Sequence, residues 1–319
     1  MVKIDLITGF LGSGKTTFIR KYAKYLIDRG LHIGILENDF GAINVDMMLL
    51  QDLLGDNCEL EMVSGGCDRD CHRRRFKTKL IAMGMCGYDR VIVEPSGIYD
   101  VDEFFDALYE VPLDQWYEIG NVIAIVDAKL QENLSKEAEY LLASEAADAG
   151  RIILSRADEA TPEEMDRTVE RLNKALEQVK CKRRLGKEVI RKGIPDLREQ
   201  DLQELVSCGY VSESYIKMDL GDFKGFDSLF FMNIEITEEE LKKAVSAMMK
   251  AEACGRIFRV KGFIQKPTGE WLQLNATHDA ISLKPIEAGQ KVLIVIGENL
   301  CEEAIRKFLP ETSAAENEK

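Results

Sequence analysis

The 319-residue sequence is acidic, with a formal net charge of −14, 45% hydrophobic residues and 31% charged residues. A chain this acidic is a poor general binder of nucleic acid or anionic membrane, so neither is expected as a partner. We find no cleavable leader pattern and no apolar run near the roughly 18 residues of a spanning helix, and we expect a cytoplasmic protein. There its eight cysteines are expected as thiols, metal ligands or core residues rather than disulfides.

Short apolar runs alternate with helix-like segments in the first half of the chain. The predicted strands are 3–8, 32–37, 58–63, 90–94, 121–126 and 151–155. The predicted helices include 72–84, 101–110, 136–148 and 162–179. This alternation predicts an α/β fold with a mostly parallel, doubly wound sheet, in which ligands bind beyond the carboxyl ends of the strands.

The pattern changes after this first predicted domain, residues 1–179. We expect residues 180–226 to form a connecting segment with one or two helices. Its basic run, 180–192, has a single acid among seven bases. We favour a solvated linker or helix face for this run over a contact with RNA or phosphate.

A smaller α+β domain is predicted over 227–311, followed by a disordered tail at 312–319. Thr237 precedes three glutamates and is the expected N-cap of a helix. The predicted strands and helices of this domain are 228–236, 237–251, 256–265, 270–275, 291–297 and 301–309, of which the second and the last are helical.

A glycine-rich motif follows the first predicted strand. Residues 9–16 read GFLGSGKT and fit G-x-x-x-x-G-K-[ST] at every fixed position, and a helix-like segment follows. The glycines let successive N–H groups point at one centre and form a cavity for phosphate oxygens. Lys15 can reach the β- and γ-phosphates, and the Thr16 hydroxyl can hold magnesium. The predicted nucleotide-binding residues of this loop are Gly12, Ser13, Gly14, Lys15, Thr16 and Thr17.

Two later strand ends supply further candidates. Glu94 ends the apolar run RVIVE, and an acid there can hold magnesium, directly or through water. Residues 155–158 read SRAD, where GTPases have N-K-x-D. Asp158 is intact, whereas Ser155 and Arg156 replace asparagine and lysine. Arginine can still stack on a base, but serine lacks the donor–acceptor pair of an amide, so we expect only a weakened guanine preference.

An ordered set of motifs extends over nearly the whole chain. It comprises TGFLGSGKTT (8–17), ENDFGAINVD (37–46), SGGC (64–67), VEPSG (93–97), IVDA (125–128), ADAGRIILSRAD (147–158), RIFRVKGFI (256–264), Trp271 and VLIVIGENLCEEAI (292–305). In these motifs the chain resembles the CobW-like GTPases, a metallochaperone branch of the P-loop GTPases.

The resemblance implies GTP hydrolysis coupled to handling a metal or maturing a metalloprotein, with a client metalloprotein as partner. It implies that Asp46 and Glu94 help to hold Mg²⁺, and that residues 37–41 form a switch that depends on the γ-phosphate. Lys15 and Glu94 are the expected catalytic residues. Since no catalytic base is obvious, hydrolysis is expected to be slow and mostly electrostatic. The oligomeric state stays open, a homodimer included.

The cysteine motif departs from the Cys-x-Cys-Cys of the family, because the chain reads GGCDRDCHRRR. Cys67 matches the first cysteine, Cys71 lies one residue beyond the third family position, and His72 follows. Two thiolates and an imidazole, with Glu37 as a fourth ligand, suit one soft or borderline ion such as Zn²⁺ or Co²⁺. The spacing is not a standard zinc spacing, so a redox dithiol and a structural or partner-binding use stay open.

Two rival functions also stay open. One is a nucleotide-gated activator or binding protein for a partner, without a metal site, which the altered cysteine motif favours. The other is an ATPase or small-molecule kinase, which the SRAD segment permits but the switch residues disfavour. Metal analysis with and without GTP separates the metallochaperone from the first rival.

Overall fold

The computed structural model describes residues 1–10, 12–39, 45–64, 69–95, 101–130, 134–218, 227–278, 280–287 and 289–310. Contacts divide the chain into two compact units, Met1–Phe223 and Lys224–Lys319. In the part of the chain that is described, no helix is both long and apolar enough to cross a membrane.

The first unit is built on a seven-stranded sheet in which every neighbouring pair is parallel. Its strands are β1 (Val2–Thr8), β2 (Ile33–Asp39), β3 (Cys58–Ser64), β4 (Arg90–Pro95), β5 (Tyr117–Asp127), β6 (Arg151–Ser155) and β7 (Val189–Ile190). Their order across the sheet is β3-β2-β4-β1-β5-β6-β7. Since β1 lies in the middle, the carboxyl ends of β4, β1 and β5 meet at the centre of one sheet edge, where such folds bind ligands.

Helices cover both faces of this sheet. They are α1 (Lys15–Ile27), α2 (Val45–Leu50), α3 (Arg69–Gly84), α4 (Val101–Leu108), α5 (Leu113–Trp116), α6 (Lys136–Asp148), α7 (Pro162–Gln178) and α8 (Glu199–Leu205). Helices α1, α2 and α8 share a core with Ile35 and Ile92, whereas α3, α4, α6 and α7 share one with Leu36 and Val93. Strand alternation places these neighbours on opposite faces. The predicted doubly wound α/β fold is confirmed.

Residues 180–218, expected within a connecting segment, lie in the first unit. Strand β7 extends its sheet, and α8 packs on the α1 face. Arg183 is 8% exposed, and its Nη1 donates to the carbonyls of Ala146 and Ala147 at 2.8 Å each, in the last turn of α6. Burial lowers the pKa of Arg183. The predicted solvated run agrees with the exposure of the other six bases but is wrong for Arg183, which satisfies carbonyls that a helix end leaves unpaired.

Within its described residues, the second unit is an antiparallel five-stranded sheet with two helices, so the predicted α+β class is confirmed. Its elements are β8 (Asp227–Met232), α9 (Glu238–Met248), β9 (Arg256–Gln265), β10 (Trp271–Ala276), β11 (Ile281–Ile286), β12 (Val292–Glu298) and α10 (Glu302–Arg306). The strand order is β11-β10-β9-β12-β8. As predicted, Thr237 caps α9, with Glu240 completing a capping box. Strand β11 was not predicted: it is a half-exposed edge strand containing Pro285, a residue that edges tolerate.

Candidate nucleotide-binding site

The glycine-rich loop joins the central strand β1 to α1. Gly9, Gly12 and Gly14 have φ angles of 140°, 84° and 107°, which lie in the region that favours glycine. A Cβ atom at Gly9 would lie 2.2 Å from the carbonyl oxygen of Ile125 on β5, so the close approach also requires glycine there. The loop then enters the N-terminus of α1, where free N–H groups and the helix dipole favour an anion. Leu11 lies outside the described residues.

The polar side chains of the loop and the first turn of α1 are mostly buried. Ser13 and Lys15 are each 5% exposed, and Thr17 is exposed. The Lys15 Nζ donates to the carbonyl oxygens of Gly9 at 2.8 Å and Phe10 at 3.4 Å, which places the ammonium group inside the curve of the loop. The Ser13 hydroxyl is buried and has no hydrogen-bond partner within the described ranges. Such a group is costly to leave unpaired, and it fits a phosphate oxygen.

Thr16 and Glu94 bring two oxygen ligands together beside Lys15. The Thr16 hydroxyl donates to Glu94 Oε1 at 3.1 Å, and the Lys15 Nζ lies 4.0 Å from the same oxygen. Glu94 is 5% exposed near the end of β4, the strand next to β1. Hydroxyl and carboxylate oxygens are hard ligands of the kind that Mg²⁺ prefers, so this pair fits a magnesium ion beside bound phosphates. Asp46 lies in α2, and its side chain is outside the described residues.

A second buried carboxylate lies beside Glu94. Glu37 on β2 is in register with Glu94 on β4 and is 3% exposed. Glu37 and Glu94 each lie two residues after a side chain of the α1 face, Ile35 and Ile92. Because every second residue of a strand lies on the same face, both glutamates lie on the face that α1 covers. The sequence places Glu37 in the switch and in the predicted metal site, and its closeness to Glu94 follows from the register of two strands far apart in sequence.

The ends of β5 and β6 form a second part of the site. Asp127 and Ser155 are in register there. Ser155 is 2% exposed, and its hydroxyl donates to the carbonyl oxygen of Val126 at 3.3 Å. A Cβ atom at Gly14 would lie 3.5 Å from the Ser155 Cβ, so Ser155 abuts the phosphate loop. Arg156 follows with a φ angle of 55° and forms an ion pair with Asp127.

Asp158 lies in an exposed turn after β6. It lies beside Gly193 and the 3₁₀ turn Ile194–Asp196 after β7, which the sequence does not place in the site. A Cβ atom at Gly193 would lie 2.5 Å from Asp158 Oδ1, and one at Gly14 would lie 3.3 Å from the Ile194 Cδ1. Lys21 of α1 donates to two carbonyl oxygens of the 3₁₀ turn after β7, at 2.9 and 2.6 Å. That turn therefore contacts both the phosphate-loop helix and the Asp158 side. In the sequence this turn is marked by Gly193-Ile194-Pro195, three residues after the apolar pair Val189-Ile190.

The predicted ligands of a soft metal are placed only in part. His72 is 3% exposed and lies on the face of α3 that carries Phe76 and Leu80, four and eight residues on, whereas Cys71 is half exposed. Cys67 lies outside the described residues. Among the residues that are described, no three His, Cys, Asp or Glu side chains form a group that could hold a metal ion. The predicted four-ligand site therefore stays a prediction.

The glycine loop at the end of the central strand, the buried lysine and the hydroxyl–carboxylate pair define a nucleotide-binding protein of the phosphate-loop class. Residues 3–185 match the nucleotide-binding domain of the CobW/HypB/UreG family, and residues 233–312 match the cobalamin synthesis protein cobW C-terminal domain. Since the first match covers more than half of the chain, the protein belongs to the CobW/HypB/UreG family.

Two similar proteins of Escherichia coli (strain K12) are named zinc chaperones. YeiR is 29% identical over 164 residues, which is 51% of this chain and 49% of YeiR. YjiA is 30% identical over 170 residues, which is 50% of each chain. This chain thus spans about half the length of these curated relatives. The crystal structure of Zn(II)-bound YjiA GTPase aligns with 96% of this chain and 97% of that chain, at 21% identity and a TM-score of 0.37.

Proposed function

We propose that this protein is a GTP-binding and GTP-hydrolysing metallochaperone, or a maturation factor for a metalloenzyme or cofactor, that acts in the cytoplasm. The nucleotide state of its switch would control the binding of metal or of a client metalloprotein. The observation that carries the nucleotide part is the grouping of Lys15, Thr16 and Glu94 at the N-terminus of α1. The metal part is supported by the names of relatives, including the zinc-regulated GTPase metalloprotein activator 1 of Schizosaccharomyces pombe, 22% identical over 165 residues.

The side chains of this site supply binding and charge neutralisation. The loop N–H groups would hold the phosphates, while Lys15 places a cation at the β- and γ-phosphates. Thr16 and Glu94 would hold Mg²⁺, with Asp46 assisting by the family pattern. Magnesium, when bound, supplies positive charge that offsets the charge on the transferred phosphoryl group. Positioning and electrostatic stabilisation then carry the reaction, and we expect a slow intrinsic rate.

We expect GTP to displace a fluorescent guanine nucleotide better than ATP does. The Asp158 carboxylate can accept hydrogen bonds from guanine N1–H and N2–H₂, a pattern that adenine lacks, so ATP would bind without these hydrogen bonds. The preference should be smaller than that of an intact N-K-x-D, because the Ser155 hydroxyl is bonded to Val126. Competition among GTP, ATP and XTP measures the preference, and phosphate release with Mg²⁺ measures hydrolysis.

Two substitutions sharpen this experiment. Asp158→Asn should weaken GTP and favour XTP, because the amide can donate to the extra carbonyl of xanthine. Asp166→Asn, on the exposed side of α7, is the matched control and should leave the order of affinities unchanged. Equal affinity for ATP and GTP, or an ATP preference, would contradict guanine specificity and favour the ATPase or kinase.

We also expect Cys67, Cys71 and His72 to bind one soft or borderline divalent ion with an affinity that depends on the nucleotide. A switch that reorders around the γ-phosphate would move Glu37 relative to the thiolates. Linked sites are typically coupled by about 1–3 kcal/mol, so affinity should change by about 5- to 150-fold, and the metal must change GTP affinity by the same factor. Titration of zinc or cobalt into GTP-bound, GDP-bound and empty protein measures this coupling.

The Cys67→Ala/Cys71→Ala variant tests the location of this metal site. The matched control is Cys86→Ala/Cys301→Ala, which removes two exposed cysteines outside the motif. Binding should be lost in the first variant and kept in the second. If the wild-type protein and the first variant bind metal alike, the site is elsewhere or absent, and the metal-free activator becomes the better account.

A further inference from the structure

The carboxylate of Asp127 is held through both of its oxygens at the end of β5. Its Oδ1 accepts a hydrogen bond from the Lys129 N–H at 2.9 Å, and its Oδ2 forms the ion pair with Arg156. The strand ends beneath it are also linked, because the Ala128 N–H donates to the Ser155 carbonyl at 2.9 Å. Asp127 is therefore a fixed counter-ion rather than a mobile surface acid.

Arg156 has an unusual backbone conformation for its residue type. Its φ angle is 55°, in the left-handed region that non-glycine residues seldom occupy. Such conformations persist where the surroundings hold them, often at ligand sites. The side chains of Arg156 and Asp127 are 28% and 23% exposed, so the pair lies at the surface, within reach of a ligand, and not in the core.

The surroundings of this pair indicate which part of a nucleotide it would meet. Ser155, the preceding residue, abuts Gly14 of the phosphate loop. Asp158, two residues further on, carries the carboxylate that would bind the edge of the base. A nucleotide that extends from the phosphate loop to Asp158 would place its base beside Arg156. The planar guanidinium group of arginine stacks well on aromatic rings.

From this geometry we propose that Asp127 is a positioning residue that holds the Arg156 guanidinium against the face of the nucleotide base. This inference rests on the proposed function, since it requires a nucleotide in this site. The stacked guanidinium would contact the base without the asparagine amide that Ser155 replaces. The contact is made with the face of the ring, and it therefore adds affinity without reading the edge of the base.

Asp127→Asn tests the role, because the amide keeps an acceptor for Lys129 and removes the charge that orients Arg156. We expect this variant to bind GTP and ITP about tenfold more weakly, by the same factor for both, as loss of a stacking contact predicts. Arg156→Ala should show a similar loss. The double variant should be no weaker than Arg156→Ala alone, because Asp127 acts through Arg156. Affinity for inorganic tripolyphosphate, which has no base, should not change.

Glu139→Gln is the matched control, since it breaks the Arg171–Glu139 ion pair, whose side chains are 19% and 25% exposed. It should leave nucleotide affinity and melting temperature unchanged. Wild-type GTP affinity in Asp127→Asn, independent losses in the double variant, or weakened tripolyphosphate binding would each overturn the positioning role. If the wild-type protein binds neither GTP nor tripolyphosphate, and Lys15→Ala makes no difference, the proposed function fails as well.

Discussion

Lys15→Ala should abolish GTP binding while leaving the fold intact, because it removes the side chain that brings a cation to the β- and γ-phosphates. The Lys15 Nζ already lies within the phosphate loop, 2.8 Å from the Gly9 carbonyl and 4.0 Å from Glu94. It brings a cation to the place where the β- and γ-phosphates would lie. No other side chain of the loop carries a positive charge. Titration of a fluorescent guanine nucleotide measures the loss.

Lys24→Ala is the control for this substitution. Lys24 lies on the same helix, 69% exposed, and forms an ion pair with the exposed Asp28 at 3.5 Å. It should leave GTP affinity unchanged. Both variants should fold, and Lys24→Ala should melt close to the wild-type temperature. Lys15→Ala should melt lower, because it removes the cation 4.0 Å from the buried Glu94 carboxylate. Near wild-type affinity in Lys15→Ala would remove the phosphate-loop assignment.

The parts of the fold that the sequence predicts well are those with strong local signals. Buried strands such as β1 and β4 are mostly apolar runs, and α9 begins at a Thr–Glu capping box. Strands β7 and β11 were missed because each is short or half exposed, and their pairing partners supply the stabilisation. Arg183 was misjudged because only the tertiary structure places helix carbonyls beside it.

The same limit applies to the candidate site. The glycine loop and the acid at the end of β4 have local patterns, so Lys15, Thr16 and Glu94 could be named from the sequence. The pairing of Glu37 with Glu94 depends on strand register, which no local pattern encodes. The Asp127–Arg156 ion pair joins the ends of β5 and β6, and its two residues are 29 positions apart in sequence (156 − 127). Contacts of this kind depend on the order of strands in the sheet.

The largest expected effect on stability is at Arg90, which is buried with Asp5. The Arg90 Nη1 donates to both Asp5 carboxylate oxygens, at 2.7 and 2.6 Å, and Asp5 is 0% exposed. Burial alone would lower the pKa of Arg90, but Asp5 and Tyr22 together leave that pKa raised. Burial, and then Asp5, raise the pKa of Tyr22. Its hydroxyl therefore stays protonated and donates to Asp5 Oδ2 at 2.8 Å. Asn121 donates to the same carboxylate from its backbone at 2.9 Å.

Arg90→Met should lower the free energy of unfolding of the first unit by about 3–5 kcal/mol, because it leaves the Asp5 charge buried without its counter-ion. Urea denaturation followed by Trp116 fluorescence measures this in a Trp271→Phe background, since the chain has two tryptophans. Arg191→Met is the control: it breaks an exposed pair with Asp166 and should cost about 1 kcal/mol or less.

Asp5→Asn/Arg90→Met should recover part of the lost stability, because it leaves no unpaired buried charge. If Arg90→Met is no worse than Arg191→Met, the buried network does not stabilise the first unit.

Helix α1 carries both Tyr22, which bonds to this network, and Lys15, which lies at the phosphate loop. Below the unfolding transition we expect GTP affinity to be unchanged, since the network lies toward the amino ends of β1 and β4, away from the site. Weaker GTP binding by the folded Arg90→Met protein would instead mean that α1 transmits the disturbance to the phosphate loop.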